Sequence, residues 1–548
     1  MSETTHQGGP PTTFSMPMYA GWVPQCIRPW IYVVMAFCFQ FSNGMYLGAM
    51  NNIIGERGIM REDVLMCLYA TLTGMAFYFP LLFRMKFRFS NKLLLMTAAS
   101  VVLVCNFLTM LPLHLPILWA LCVLCGMAKI QGTFECMSSI QLWMTPKRDF
   151  GVFFPLLHIV LLTSIEYSAY LAAWFAYEAH WQLMHWFIIG LMFAVLITQA
   201  LLTHHFHAMP KIIPLRGIDW LGALLWIALT LQVVYLLNYG DWLDWWHSTN
   251  FRLLCGTSLL TLAVCLQRMW HHPQPFFEPA MWNYRYVVPI ILLIGVVEIL
   301  FSSEHVIEMV YYEEVMHYAD HTYEWLNQWS LPGIWAGCLF SLGWLKLMRW
   351  NVYRLIAVAL LFFAIYTGGF YFLIDESINI ELLHIPIICR GFSYAVLCVA
   401  FMWCLHAIMS FEHFFQALSV FNVLHMLLGR LVGAALHAFG LKYYVADGFA
   451  RYSQYVDSVS ISARHTNFEE LMQHLVEGLL AQAVKIEFGW TLLASLLLAM
   501  LMLLWDIPMV RHQIKHIPTW PSVGMGVWRK YQRGRRLHHL RKMRRELV

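Results

Sequence analysis

Carboxylates and cations stand inside long apolar runs of this 548-residue chain, where a charge has to be compensated or wetted. Lys129 and Glu135 lie in the run 115–144, Glu166 in 151–176, and Glu298, Glu304 and Glu308 in 286–310; Arg390 and Arg430 follow in 384–409 and 415–440. An ionisable group at the centre of a bilayer costs about 2.5–3.5 kcal/mol on insertion scales. A carboxylate there has its ionised form disfavoured by desolvation and favoured by a nearby cation, so its protonation changes with water access. That is the physical requirement for carrying a proton. Lys129 and Glu166 fall near the middle of consecutive antiparallel runs, so we expect them to face each other, with Glu135 nearer the cytoplasm as an acid reached from that side. Glu298 is the equivalent proton-coupling candidate of the second half. A fixed ion pair that only ties two helices together would use the same residues.

A second constellation follows the run 286–310. Glu313, His317 and His321 are spaced i, i+4, i+8, so a continuous helix would set them on one face at steps of about 5–6 Å. Carboxylate and imidazole donors in that array suit zinc or another divalent ion; a solvated acidic loop with incidental histidines has the same composition. The run His204-His205-Phe206-His207 and the pair Cys122-x-x-Cys125 have simpler readings, an interfacial linker and two core thiols.

These residues are positioned by fourteen apolar runs, approximately 29–50, 63–83, 93–112, 115–144, 151–176, 182–203, 218–238, 252–270, 286–310, 329–348, 354–374, 384–409, 415–440 and 486–506. A spanning helix needs about 20 such residues, and runs this continuous exclude a membrane β-barrel. With the N-terminus in the cytoplasm, 25 of the 35 basic residues fall in the even-numbered loops and the two tails. A missed or additional helix would invert every later loop and erase that bias, so the positive-inside rule supports the even count and places both termini in the cytoplasm. Sixty per cent of residues are hydrophobic and twelve per cent charged, against about 25% charged in soluble domains, which leaves no room for a large soluble domain. The polar segment before residue 25 lacks the basic region and apolar core of a cleavable signal. The thirteen cysteines sit almost entirely within the runs and give no disulfide framework. The net charge of +4 comes mostly from the tail stretch Arg529 to Arg545; directly after a last helix this block reads as a headgroup-facing topology anchor rather than a nucleic-acid site.

The spacing suggests a cytoplasmic tail (1–28), a six-helix bundle (29–203), two central helices with proline-bearing linkers (204–285), a second six-helix bundle (286–506) with an outer loop (441–485), and a basic tail (507–548). Within the outer loop, 468–484 has one apolar stripe at helical spacing and could lie on the bilayer surface, pack on helix ends or receive a partner. Gly333-x-x-x-Gly337 and Gly429-x-x-x-Gly433 predict close helix contacts.

Several stretches carry a family resemblance. In RGIDWLGALLWIALTLQVVYLLNYGDWLDWW, Asp219, Trp220, Leu221 and Gly222 open helix 7, with Gly240, Trp242 and Trp245 after it; His272 to Tyr286, Arg390-Gly391, Gln416 to Gly433 and Trp181 follow the same habit. The chain thereby resembles the fourteen-helix drug:proton antiporter branch of the major facilitator superfamily, the multidrug-resistance protein B type. It departs from that branch at helix 1, which has no Asp or Glu, and at Cys122, where an arginine is usual, so we expect a divergent member whose coupling site uses other residues.

The resemblance implies an all-α major facilitator fold of 6+2+6 transmembrane helices in a bacterial inner membrane. It also implies proton-coupled efflux of amphipathic or hydrophobic small molecules, with a periplasmic adaptor and an outer-membrane channel as partners and no bound cofactor. Arg390, Arg430 and Asp219 would then be structural or gating residues. A receptor or scaffold of the same fold without coupled transport is the alternative function, and a membrane metalloenzyme is a further one.

Overall fold

The computed structural model describes residues 18–41, 45–145, 149–205, 215, 217–284, 286–348, 351–374, 378–454 and 468–504. Among these, thirteen helices are long and apolar enough to cross a membrane. They are α2 (Arg61–Arg88), α3 (Asn91–Thr109), α4 (Leu115–Gln141), α5 (Phe150–Glu178), α6 (Gln182–Leu202), α7 (Trp220–Asn238), α8 (Thr249–His271), α9 (Val287–Val315), α10 (Asp320–Met348), α11 (Val352–Leu373), α12 (Ile380–Ile408), α13 (His413–Tyr452) and α14 (Met472–Leu504). The first apolar run supplies α1 (Arg28–Gln40), followed by the short helices Met45–Gly48 and Met50–Arg57. Among the described residues the only β feature is a single bridge between Tyr19 and Thr203. The basic tail and the greater part of the linker 204–217 lie outside the described residues.

Helix starts follow local chemistry. Pro29 occupies the first turn of α1, where its missing N–H costs nothing. Asp149 caps α5 by accepting from the Gly151 N–H at 3.1 Å, and Asn351 caps α11 by accepting from the Tyr353 N–H at 3.0 Å. Asp219 caps α7, accepting from the Gly222 N–H at 2.9 Å, and also holds Arg268 of α8 at 2.6 Å. Asp219 therefore joins α7 to α8 at one end of the hairpin. The far side of α8 bears the exposed side chains Leu253, Leu259, Leu260 and Trp270, as a helix bathed in lipid would.

Helices α1 to α4 and α6 pack chiefly on one another, as do α9 to α14; α5 reaches across to α10 and α12, and α7 lies against α2. The closest seams are made by glycines within each group. A Cβ on Gly333 would stand 2.0 Å from the Ile388 oxygen of α12, and one on Gly391 would stand 2.2 Å from the Ser330 oxygen of α10. Gly429 and Gly433 bring α13 onto α9, where added methyls would meet the Glu298 Cβ at 2.6 Å and the Ser302 Oγ at 2.1 Å. Both glycine motifs read from the sequence are thus close-contact seams inside one helix group. The amphipathic stretch 468–484 is no separate surface helix. It continues without a break into the last span, as Phe468–Leu504.

Candidate functional site

Between the two helix groups lies a cavity of about 540 Å³. One wall is built from α2 (Leu65, Leu68, Tyr69, Leu72) and α5 (Leu162, Ile165, Glu166, Ala169), the facing wall from α9, α10, α12 and α13. The cavity extends toward the end of the molecule that carries Arg61, Asp241, Asp320 and Lys442, all in its lining. Contacts across that end are polar: Asn51 donates to Asp320 at 2.7 Å, Arg61 stands 3.8 Å from Glu313, and Lys442 pairs with Asp241 at 2.8 Å. Asp241 lies in the loop after α7. Partial burial works to raise its pKa, but hydrogen bonds from Lys442 and Trp245 and the lysine charge outweigh it and hold the carboxyl below the usual aspartate value.

At the opposite end, which carries Lys86, aromatic rings close the space between the groups. Phe83 of α2 meets Phe415 of α13 edge-on with centroids 4.3 Å apart, and Phe134 of α4 meets the same ring at 5.7 Å. Phe150 of α5 lies 3.9 Å from the His406 ring of α12, and Asp149 pairs with Lys346. The structure is therefore sealed by apolar packing at the Lys86 end and bridged by polar contacts at the Arg61 end.

The cavity wall made by α9 to α13 holds a network of charges. Arg390, 2% exposed, donates to Glu308 at 2.7 Å and to Asn327 at 2.9 Å, and lies 3.4 Å from Glu304. The Tyr366 hydroxyl donates to the same Glu308 oxygen at 2.6 Å. Arg430 donates to Glu298 at 3.3 Å and stands 5.3 Å over the Tyr394 ring. Three segments of this region are wound as π-helical turns: Glu304–Glu308, Tyr311–Val315 and Leu424–Leu428. Such turns widen a helix locally and re-aim its side chains, and they gather at functional sites.

The proton-coupling candidates occupy three separate places. Glu166 lines the cavity and makes no ion pair within 4.0 Å among the described residues. Glu298 is buried in the network beside the cavity. Glu135, 1% exposed, is held by Lys86 at 3.0 Å and by the Asn91 amide at 2.9 Å, in a cluster that includes Tyr32. Lys129 does not face Glu166. It is 1% exposed and lines a small cavity of about 20 Å³ with Thr71, Asn106, Cys122 and Cys125, on the side of α4 turned to α2 and α3. The expected pairing fails because α4 and α5, though consecutive, barely touch, and α5 instead packs on α10 and α12.

The expected face of Glu313, His317 and His321 does not form either. The helix ends at Val315, and His317 has a φ of 52°, so the chain turns between the three residues. Glu313 lies against Arg61, His317 bonds Glu477 at 3.2 Å, and His321 stacks on Tyr177 at 3.9 Å. Among the described residues no cluster of three His, Cys, Asp or Glu side chains could hold a metal ion.

Sequence reasoning missed His425, Tyr394, Asn327, Glu324 and Gln328. His425 and Tyr394 stand within apolar runs, whereas Glu324, Asn327 and Gln328 cluster in the polar stretch just before the run 329–348, the one sign of a polar site there.

No protein-family model matches the sequence, and no curated protein matches it. Solved structures do. A mutant of peptide transporter POT in complex with alafosfalin superposes with a TM-score of 0.55 at 12% identity, covering 91% of this chain and 98% of that one. An auto-inhibited POT family peptide transporter gives 0.53 at 13% identity over 90% and 100% of the two chains. A mutant of nucleoside transporter NupG gives 0.51 at 11% identity over 87% and 98%. At such identities the likeness is one of fold. The described residues are built of helices, and the chain is a multi-pass membrane protein with the major facilitator fold.

Proposed function

We propose that this protein is a transporter that moves an amphipathic small molecule across the membrane by alternating access of its two helix groups, driven by exchange for protons. The observation that carries the reading is Glu166, a carboxylate without an ion pair on the wall of the inter-group cavity. Such a group can hold a proton when the cavity is dry and release it when the cavity is wet. The apolar lining from Leu65, Leu68, Ile165 and Ala434 would accept a hydrophobic body, and the ionisable residues a polar end. The fold is shared with a nucleoside transporter and peptide transporters.

Export, rather than import, rests on the resemblance to drug:proton antiporters, as do an inner-membrane location and docking to a periplasmic adaptor and outer-membrane channel. The distribution of basic residues supports both termini in the cytoplasm, which turns the Arg61 end outward. The proposed working units are the groups 29–203 and 286–506, with 204–285 as an inserted hairpin.

The test is flux in proteoliposomes under an imposed pH gradient, with ethidium, a lipophilic carboxylic acid and a neutral dye as probes. At least one probe should move against its gradient, and Glu166→Gln should remove the response to pH. Fluxes equal to protein-free vesicles for all three would overturn the transport reading, whereas an unchanged pH response in Glu166→Gln would remove Glu166 from the coupling.

A further inference from the structure

The cavity lining leaves out the most tightly held titratable pair beside it. Glu298 of α9 and His425 of α13 are both buried, and one carboxylate oxygen, Oε1, takes the imidazole Nδ1 while the other, Oε2, takes Arg430 Nε at 3.3 Å. The arrangement is built for closeness. Gly429 admits the Glu298 side chain where any Cβ would stand 2.6 Å from it, and His425 sits in the π-helical turn Leu424–Leu428. Phe421 and Tyr394 flank the imidazole with nearly parallel rings, at 5.0 and 5.6 Å.

We propose that His425 is the residue that carries the coupling proton in this half of the molecule, and that Arg430 links it to the cavity; the proposal rests on the transport reading above.

Three features carry this. A single carboxylate faces two cationic partners. Glu298 balances Arg430 while the imidazole is neutral, and protonation of His425 adds a positive charge that Glu298 must then share. Arg430 itself lines the cavity, so a charge arriving there changes how much of Glu298 remains for His425. The second ring nitrogen, which also stands 3.6 Å from the Cys398 Sγ, has a way out. With the Nδ1–H given to Glu298, the exchangeable proton sits on Nε2, which is 3.3 Å from the Tyr394 hydroxyl. Tyr394 also lines the cavity. The Nε2–H donates to the tyrosine oxygen, that hydroxyl passes its own proton to cavity water, and His425 is left neutral with tyrosine restored.

The groups facing His425 are Glu298 and, farther off, Glu304 from α9, Tyr394 and Cys398 from α12, His158 from α5 and Arg430 from its own helix, with Tyr69 of α2 beside Arg430. A cation entering the cavity repels Arg430 toward Glu298 and drives the proton off His425. An anion drawing Arg430 away does the reverse. Coupling thus takes its sign from the charge of the transported molecule.

The test uses the full chain labelled with 15N-histidine in lipid, with the His425 signal identified by its loss in His425→Gln. The Nε2 resonance should report a change of protonation within a scan from about pH 5 to about pH 11, and Arg430→Gln should move its midpoint to higher pH by leaving Glu298 wholly to the imidazole. Tyr394→Phe keeps the ring packing and removes only the hydroxyl; it should slow pH-driven flux and leave the midpoint in place. His425→Gln should flatten the pH profile of flux in the proteoliposomes. A His425 signal that holds one protonation state across that range, or a midpoint indifferent to Arg430→Gln, overturns the proposal. Absence of flux with an intact, Arg430-dependent titration would instead overturn the transport reading and leave the proton site standing.

Discussion

Gln328 of α10 donates from its side-chain Nε2 to the main-chain oxygen of Glu166 in α5, at 3.2 Å, and to that of Glu324 in its own helix, at 3.4 Å. One amide therefore ties the backbones at two cavity-lining glutamates across the boundary between the helix groups. Trp335 reinforces the same seam by donating to the Thr163 hydroxyl at 2.9 Å. The α5–α10 contact is where the group bearing Glu166 meets the group bearing Arg390.

Replacing Gln328 by Ala should weaken this seam modestly. The Glu166 oxygen lies in the middle of α5 and keeps its helical bond, so it is not orphaned, and the expected loss is about 0.5–1.5 kcal/mol. Thermal unfolding in detergent should show a small decrease in midpoint. A decrease beyond that of several kcal/mol would mean that the amide does more than bridge the two backbones.

Glu135 and Lys86 call for a larger effect. Glu135 is buried and Lys86 is 12% exposed, 3.0 Å away, and Asn91 adds a second bond to the same carboxylate oxygen. Taking away one partner of a buried pair leaves an uncompensated charge, which costs about 3–5 kcal/mol. Glu135→Gln alone should therefore destabilise strongly, and adding Lys86→Met should recover most of the loss. Equal stability of the single and double variants, read from the same unfolding midpoints, would show that the pair is not coupled.

The glycine seams were legible in the sequence because only a missing side chain permits that approach, and the spans were legible because a bilayer demands long apolar runs. The partners of the charges were not. Lys129 and Glu166 are both mid-run, but chain neighbours need not be packing neighbours, and α5 turns to α10 instead of α4. The imagined face of Glu313, His317 and His321 assumed that a helix continues, whereas a single left-handed residue at His317 ended it. Tyr394 gave no warning because a tyrosine in an apolar run has the same letter whether it faces a cavity, a neighbour or lipid, and the polar stretch holding Asn327 and Gln328 reads as an ordinary loop.

Gly333→Ala tests a seam directly. The new methyl would be built 2.0 Å from the Ile388 oxygen, a main-chain atom that cannot swing away, so α10 and α12 must part. Overpacking of this kind costs about 1–3 kcal/mol. Gly295→Ala is the control, since nothing lies within 4 Å of its Cβ position, and it should be neutral or slightly stabilising through helix propensity. A Gly333→Ala protein as stable as the Gly295→Ala one would exclude the close approach of α10 and α12.

The bridge from Asp241 to Lys442 at the Arg61 end should respond to acid. The folded carboxyl lies below its ordinary value, so its contribution is complete above the unfolded aspartate pKa, about 3.9, and is lost as pH falls through the folded value. Both side chains are more than half exposed, at 56% and 66%, so screening limits the bond to less than about 1 kcal/mol. Spin labels placed on α7 and α13 near this bridge should report an unchanged separation from neutral pH down to about pH 5 and a broader one below the folded value. Asp241→Asn should show the broad distribution at every pH. A distribution in that variant identical to the unmodified bridge would mean the ion pair does not hold this end.

The aromatic seal at the Lys86 end should be the harder of the two closures to open. Phe83, Phe134 and Phe415 bury apolar rings against one another, and each edge-to-face pair contributes about 0.5–1.5 kcal/mol beyond its burial. The polar contacts at the other end are individually weak and exposed to salt. Phe415→Ala removes the ring shared by both inter-group pairs, so it should shift the resting population toward opening at the Lys86 end. Accessibility of a cysteine placed at Leu418, a buried residue one turn from Phe415, to a membrane-impermeant maleimide measures this, because the thiol is buried while the seal holds. Labelling should rise in the Phe415→Ala background and stay low with Phe415→Trp, which keeps a ring at the contact. Salt should leave this labelling unchanged while loosening the Asp241–Lys442 bridge, since ring packing carries no net charge. Equal labelling with and without Phe415 would place the barrier elsewhere, at the Phe150–His406 contact or the Asp149–Lys346 pair.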